Sequence, residues 1–146
     1  LLPLRAKILG DDGEYVKVGV EGTWRTVMGR YVDLYPVRVL AAAVLHRGLS
    51  IPVWEKDGFP KANYSIEGND HRWYTAEQVL LCNVVYRHFC NGKRTTKPVL
   101  DKIALVLNNL IYEPTLKVNA ELDVITLKGE DWTFPEESSD DHFNAA

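Results

Sequence analysis

Apolar, β-forming residues separated by turn signals make up the first part of the chain, a pattern typical of β-strands. The run over residues 4–9 stops at a turn signal, Gly10–Gly13, and β-forming residues return over 14–20 and 23–35. We therefore predict a small antiparallel β meander over residues 4–34.

From Pro36 onward the apolar residues follow a helical period instead. Proline suits the first turn of a helix, where a missing backbone N–H costs no hydrogen bond. One apolar face follows at positions i, i+3, i+4, i+7 and i+8, formed by Val37, Leu40, Ala41, Val44 and Leu45. Gly48 predicts the end of this helix, and Ser50 predicts the N-cap of a short second helix that ends at Gly58.

Two longer helices are predicted after a polar loop over Pro60–Trp73. Thr75 and Gln78 have the spacing of a capping box, which predicts a helix through about Cys90. The other helix starts near Thr96 and carries an apolar stripe formed by Val99, Ile103, Val106, Leu107 and Leu110. That stripe predicts either a dimer interface or packing within the domain.

The C-terminal part of the chain differs from the rest in pattern and charge. Residues after Pro114 alternate weakly, which predicts one or two strands before an acidic tail. The net charge is −3, but residues 1–117 carry 16 Lys and Arg against 12 Asp and Glu, whereas residues 118–146 carry one Lys against 8 acidic residues. Such asymmetry indicates nucleic-acid contact or a tail that competes with it, and ordinary solvated surface is the alternative.

Residues 36–79 contain two helices, a tight turn and a hairpin-like loop in the order of a winged helix-turn-helix. Within this run, the Val39–Ala41 segment, Trp54–Gly58 and Arg72–Thr75 resemble the DNA-binding domain of the MerR superfamily, in the compact form encoded by bacteriophages and mobile elements. The resemblance implies an α+β fold: a winged helix-turn-helix with an N-terminal antiparallel β meander and a C-terminal extension. The predicted boundaries are 1–34 for the meander, 35–115 for the helical domain and 116–146 for the extension.

The resemblance also implies a DNA-binding surface. By position, the second helix would enter the major groove of double-stranded DNA, and the wing would place basic groups beside the backbone. The residues expected on this surface are Arg47, Ser50, Lys56, Lys61, Asn63, Tyr64, His71, Arg72, Lys93 and Arg94. The expected function is a phage or mobile-element regulator, or an excisionase-like architectural factor.

Several residues carry alternatives to this function. Pro52 and Val53 stand where the family has basic or amide side chains, and they cannot make the bidentate bonds that distinguish bases. A protein-interaction or virion-associated module that keeps the fold without reading DNA is therefore the second hypothesis. Arg72 either contacts phosphate or pairs with Glu55 or Asp57. Lys93 and Arg94 either hold phosphate or belong to a solvated loop.

Other chemistries find little support in the sequence. Cys82 and Cys90 lie about 12 Å apart along one predicted helix, too far to share an ion, so we expect no metal. No catalytic grouping or cofactor motif stands out, and we expect no enzyme and no cofactor. The apolar runs are too short and interrupted for a membrane span, no signal peptide is evident, and a cytoplasmic location is expected, with a virion as the alternative.

Overall fold

The structure, a computed structural model, describes residues 3–20, 30–44, 51–92 and 95–135. Arranged in chain order, the strands are β1 (Leu4–Asp11), β2 (Val16–Gly19), β3 (Tyr31–Pro36), β4 (Tyr64–Ile66), β5 (Asn69–Thr75), β6 (Lys117–Asn119), β7 (Val124–Leu127) and β8 (Glu130–Trp132). The helices are α1 (Val37–Ala43), α2 (Ile51–Lys56), α3 (Ala76–Cys90) and α4 (Lys97–Leu110).

Five of the strands close into a barrel in the order β1-β2-β4-β5-β3. Strand β1 lies between β2 and β3 and pairs antiparallel with both. Strand β2 pairs in parallel with β4, and β5 closes the barrel by pairing antiparallel with β4 and β3. Alternate side chains of these strands point inward, because successive residues of a strand face opposite sides. The buried interior is formed by Ala6, Val18, Leu34 and Ile66.

The predicted winged helix-turn-helix with an N-terminal meander is wrong. A wing is a hairpin that projects beside the helices, whereas β4 and β5 are barrel strands bonded on both sides. A meander would place β2 between β1 and β3, but here β1 is the central strand. The physical reason is the burial of apolar side chains. Tyr64 and Ile66 of the expected wing pack into the barrel interior, whereas an isolated hairpin would leave these two side chains exposed to water. The meander residues 21–29 lie outside the described residues.

The larger core lies between the helices and the sheet formed by β6, β7 and β8. Thr75 caps α3 in a capping box with Gln78: the Gln78 backbone N–H donates to the Thr75 hydroxyl at 3.2 Å. The apolar stripe of α4 is buried here through Ile103, Leu107 and Leu110. Of the two uses predicted for that stripe, packing within the domain is therefore the one observed.

The C-terminal residues form a three-stranded antiparallel sheet in the order β6-β7-β8, where one or two strands were predicted. Ile125 of β7 is buried in the larger core, and the Val118 backbone N–H donates to Glu77 of α3 at 2.7 Å. Phe134 stacks on His88 with ring centroids 3.7 Å apart. The barrel combines strands from both sides of the predicted boundary between residues 34 and 35, and the acidic residues 136–146 lie outside the described part.

Candidate nucleic-acid interface

The ten residues predicted for a DNA surface divide into two groups. Arg47, Ser50, Lys93 and Arg94 lie outside the described residues. The other six are Lys56 at the end of α2, Lys61 and Asn63 in the segment that leads into β4, Tyr64 as the first residue of β4, and His71 and Arg72 on β5. The barrel strand β5 and the loop before β4 therefore position most of the described candidates.

Arg72 forms a two-point ion pair with Glu55. Its Nε donates to Glu55 Oε2 at 2.8 Å, and its Nη2 donates to Glu55 Oε1 at 2.7 Å. The Glu55 side chain is only 9% exposed, while that of Arg72 is 34% exposed. The hydrogen bonds with Glu55 raise the pKa of Arg72, so the guanidinium remains fully charged. Of the two roles left open by the sequence, the ion pair is observed, and it ties α2 to β5.

Four predicted residues meet around one open pocket of about 330 Å³, which we call the Lys61 pocket. They are Lys61, Tyr64, His71 and Arg72; the remaining lining residues are Tyr15, Glu55, Ala62, Ser65, Asn69 and Asp70. Lys61 and His71 are exposed, and the structure assigns neither side chain an ion-pair partner among the described residues. Asp70 is also exposed and is the acidic group of this pocket that Arg72 does not neutralise.

A second open pocket of about 510 Å³ adjoins the first along β5, and we call it the Trp73 pocket. It shares His71 and Arg72 with the Lys61 pocket, and its other lining residues are Pro3, Leu4, Pro36, Val37, Arg38 and Trp73. None of these residues is acidic, so its walls are apolar and its charged groups are cationic. Arg38 is exposed at the start of α1, and it is a cation that lines the Trp73 pocket but not the Lys61 pocket.

Sequence reasoning missed Arg38. No local sequence pattern marks Arg38 as a binding residue, because an exposed Arg near the start of a helix is common on solvated surfaces. Its place beside His71 follows only from the tertiary packing of α1 against β5. Arg38 follows Pro36, the last residue of β3, by two positions, and Pro36 pairs with Trp73 of β5 in the barrel. This pairing brings Arg38 to the Trp73 pocket.

Asn63 and Tyr64 serve the framework of the site. Asn63 Oδ1 accepts a hydrogen bond from Gln78 Nε2 at 2.9 Å, and its carbonyl accepts one from the Val16 backbone at 2.7 Å. Tyr64 packs its ring against the barrel interior, and burial raises the pKa of its hydroxyl. Both residues therefore hold the loop and β4 in place, and only part of Tyr64 reaches the Lys61 pocket.

The exposed face of α2 is partly apolar. Pro52 is exposed and Val53 is 47% exposed, while Lys56 is an exposed cation in the last turn. A helix of this composition offers one cation and two apolar groups to a partner. It lacks the amide and guanidinium groups that discriminate bases in a major groove.

The described residues contain no group of three His, Cys, Asp or Glu side chains arranged to hold a metal ion. Cys82 and Cys90 are both buried free thiols, and burial raises the pKa of Cys82 above its usual range. A buried, protonated thiol is a poor nucleophile. In the described part of the chain, no helix combines the length and apolar character needed to cross a membrane.

Comparisons of the chain with protein-family models, with curated proteins and with solved structures gave no match. The DNA-binding function implied by the resemblance of residues 36–79 to the MerR superfamily therefore stays a prediction. The winged helix-turn-helix fold that the same resemblance implied is wrong, because the strands form a closed barrel.

Proposed function

We propose that the protein binds DNA through the surface formed by the Lys61 pocket and the Trp73 pocket. One observation carries this proposal: the two pockets share His71 and Arg72, while Lys61 lines one of them and Arg38 lines the other. Repeated cations along a surface match the repeated phosphates of a nucleic-acid backbone. Lys56 is an exposed cation that lines neither pocket; it lies on α2, which the pair of Arg72 and Glu55 holds against β5.

Arg38 and Lys61 would supply the main phosphate contacts. Both are exposed, and neither has an ion-pair partner within the described ranges, so neither must break a bond to bind an anion. Arg72 contributes less, since Glu55 occupies its Nε and Nη2 and leaves Nη1 for another acceptor. Ser65 and Asn69 give the Lys61 pocket uncharged polar groups that suit sugar or base edges.

Asp70 opposes phosphate binding at the Lys61 end of the surface. Its carboxylate is exposed, so its repulsion acts through water and is screened by salt. We therefore expect modest affinity with a salt dependence that reflects two to three phosphate contacts, a slope of roughly −2 to −3 in log K against log salt.

The test is fluorescence anisotropy of labelled DNA with the full chain, from about 25 to 200 mM salt. The double variant Arg38→Gln with Lys61→Gln should bind about tenfold or more weakly and lose roughly two units of salt slope. The double variant Lys117→Gln with Lys128→Gln is the matched control, because it also removes two exposed cations and neither of them lines the two pockets. Asp70→Asn should tighten binding about twofold at the lowest salt. No binding by the full chain, or equal affinity for the double variant and the control, would show that the proposal is wrong.

A protein-interaction module is the second candidate function, favoured by a different surface. Tyr15 and Tyr112 are 39% and 42% exposed and line one open pocket of about 550 Å³ together with Phe59 and Pro60. Exposed aromatic groups are enriched in the cores of protein interfaces. Sedimentation equilibrium of the full chain tests the homodimer form of this candidate: self-association that Tyr15→Ser abolishes would support it, and a monomer at every concentration would exclude it.

A further inference from the structure

The Trp73 pocket is a concave space, and binding to the backbone of a DNA duplex does not require such a space. Phosphate contacts with a duplex require only cations on an open surface, as at Lys61. The Trp73 pocket is instead a concave space of about 510 Å³ with walls formed by Pro3, Leu4, Pro36, Val37 and Trp73. That volume lies in the range of pockets that hold small organic groups.

Its charged groups favour an anionic occupant, because Arg38 lines it and forms no ion pair with a described residue. Arg38, Arg72 and His71 are the ionisable residues that line it, and no described carboxylate lines it. These walls suit an occupant that combines an apolar or aromatic body with a negative charge. A nucleotide has both: an aromatic base and a phosphate.

The adjoining pocket favours a polymer over a single small anion. The Lys61 pocket continues the surface along β5 and shares His71 and Arg72. It also presents Asn69, whose Oδ1 accepts from the His71 backbone at 2.9 Å and whose Nδ2 has no partner among the described residues. A nucleic-acid strand supplies the next phosphate for Lys61 and the next base edge for Asn69 without any special sequence.

We propose that this surface binds single-stranded nucleic acid, with one unstacked base in the Trp73 pocket beside the His71 ring and its flanking phosphates on Arg38 and Lys61. The inference rests on the proposed DNA binding and names the form of DNA that the site takes. Stacking of bases on aromatic side chains is the usual way in which proteins hold single strands without reading their sequence.

The experiment compares a labelled single strand of about 12 nucleotides with the duplex of the same sequence, at one salt concentration and with the full chain. We expect the single strand to bind about tenfold more tightly. His71→Ala should weaken the single strand about fivefold or more and change duplex binding by less than about twofold, since it removes a ring and no permanent charge. Arg38→Gln should weaken both forms. A strand that carries 2-aminopurine should change its fluorescence on binding, and His71→Ala should reduce that change.

The possible failures separate the two proposals. Equal affinity for both forms, with His71→Ala weakening both alike, would overturn the single-strand inference and leave DNA binding in place. No binding of either form would overturn both proposals. Displacement of the strand by a peptide rich in Phe and Glu, at concentrations where an all-Glu peptide has no effect, would assign the Trp73 pocket to a protein partner and overturn the inference. His71→Ala keeps the backbone bond to Asn69, so its folding can be checked by an unchanged thermal midpoint.

Discussion

Replacing Arg72 by alanine should destabilise the protein substantially, although the residue lies on a surface strand. The change removes two charge-assisted hydrogen bonds of 2.8 and 2.7 Å and leaves the Glu55 carboxylate, 9% exposed, without its cation. Removing one member of a fully buried pair costs about 3–5 kcal/mol. Because Arg72 is itself 34% exposed, water already screens the pair, and we expect a loss of about 2 kcal/mol.

The partner substitution should cost less. Glu55→Gln removes the buried charge and leaves a guanidinium that can be hydrated from its exposed side, so we expect a loss of about 1 kcal/mol. The double variant Arg72→Ala with Glu55→Gln should lose clearly less than the sum of the single changes, since the unpaired buried carboxylate is absent from it. Arg72→Lys should fall between wild type and Arg72→Ala, because an ammonium group cannot reproduce the two-point contact.

Urea unfolding followed by tryptophan fluorescence measures these free energies, with unchanged m-values as the check that each variant stays two-state. A loss of about 2 kcal/mol corresponds to a fall in Tm of roughly 4–8 °C for a chain of this length. A loss below about 0.5 kcal/mol for Arg72→Ala, or additive effects in the double variant, would refute a stabilising pair between α2 and β5.

Three further predictions concern Tyr74 and Thr75, which follow Arg72 on β5. Tyr74→Phe should stabilise the protein by about 1 kcal/mol in thermal unfolding, because the Tyr74 hydroxyl is buried without a hydrogen-bond partner among the described residues; a loss of stability would contradict this. Burial raises the pKa of the Tyr74 hydroxyl above its value in the unfolded chain. Because the unfolded chain therefore loses the hydroxyl proton at a lower pH than the folded protein, the free energy of unfolding falls as the pH rises past about 10. Tyr74→Phe removes this group and should make the fall shallower. Thr75→Ala should cost about 1 kcal/mol in urea unfolding by removing the side-chain cap of α3, and Thr75→Ser should restore most of it; equal stability of the two variants would exclude the capping role.

The sequence predicted the helices that rest on local signals. The capping box of Thr75 and Gln78 and the end of the helix at Cys90 appear in α3 as expected, because caps and helical periodicity act over a few residues. Pro98 lies in the first turn of α4, also as expected. These interactions are encoded within one element and need no knowledge of its neighbours.

Strand pairing could not be predicted in the same way. The parallel pair of β2 and β4 joins Val16 to Tyr64, and the pair of β3 and β5 joins Leu34 to Thr75. Alternating apolar residues indicate that a segment is a strand with one buried face, but they do not say which strand lies beside it. The hairpin of β4 and β5 therefore has the same local pattern as a wing and a different position in the fold.

The candidate site shows the same division between local and tertiary information. Lys61, His71 and Arg72 were predicted from a resemblance and do lie around one pocket, whereas Arg38 joins them only through the packing of α1. The Glu55 pair, 17 residues from Arg72, was one of two alternatives that the sequence left open. Which alternative holds depends on the distance between α2 and β5, a quantity that no local pattern contains.

Arg72 links the stability of the fold to the proposed binding surface, and this link decides how binding data must be interpreted. Its Nε and Nη2 hold Glu55, while its Nη1 has no acceptor within the described part and the side chain lines both pockets. A fall in DNA affinity on Arg72→Ala would therefore combine a lost phosphate contact with a displaced α2 and Lys56. Arg38→Gln and Lys61→Gln carry no such ambiguity, because both side chains are exposed and neither forms an ion pair with a described residue. Evidence for binding at this surface must therefore come from Arg38 and Lys61, with Arg72→Lys as the variant that keeps the charge while weakening the pair.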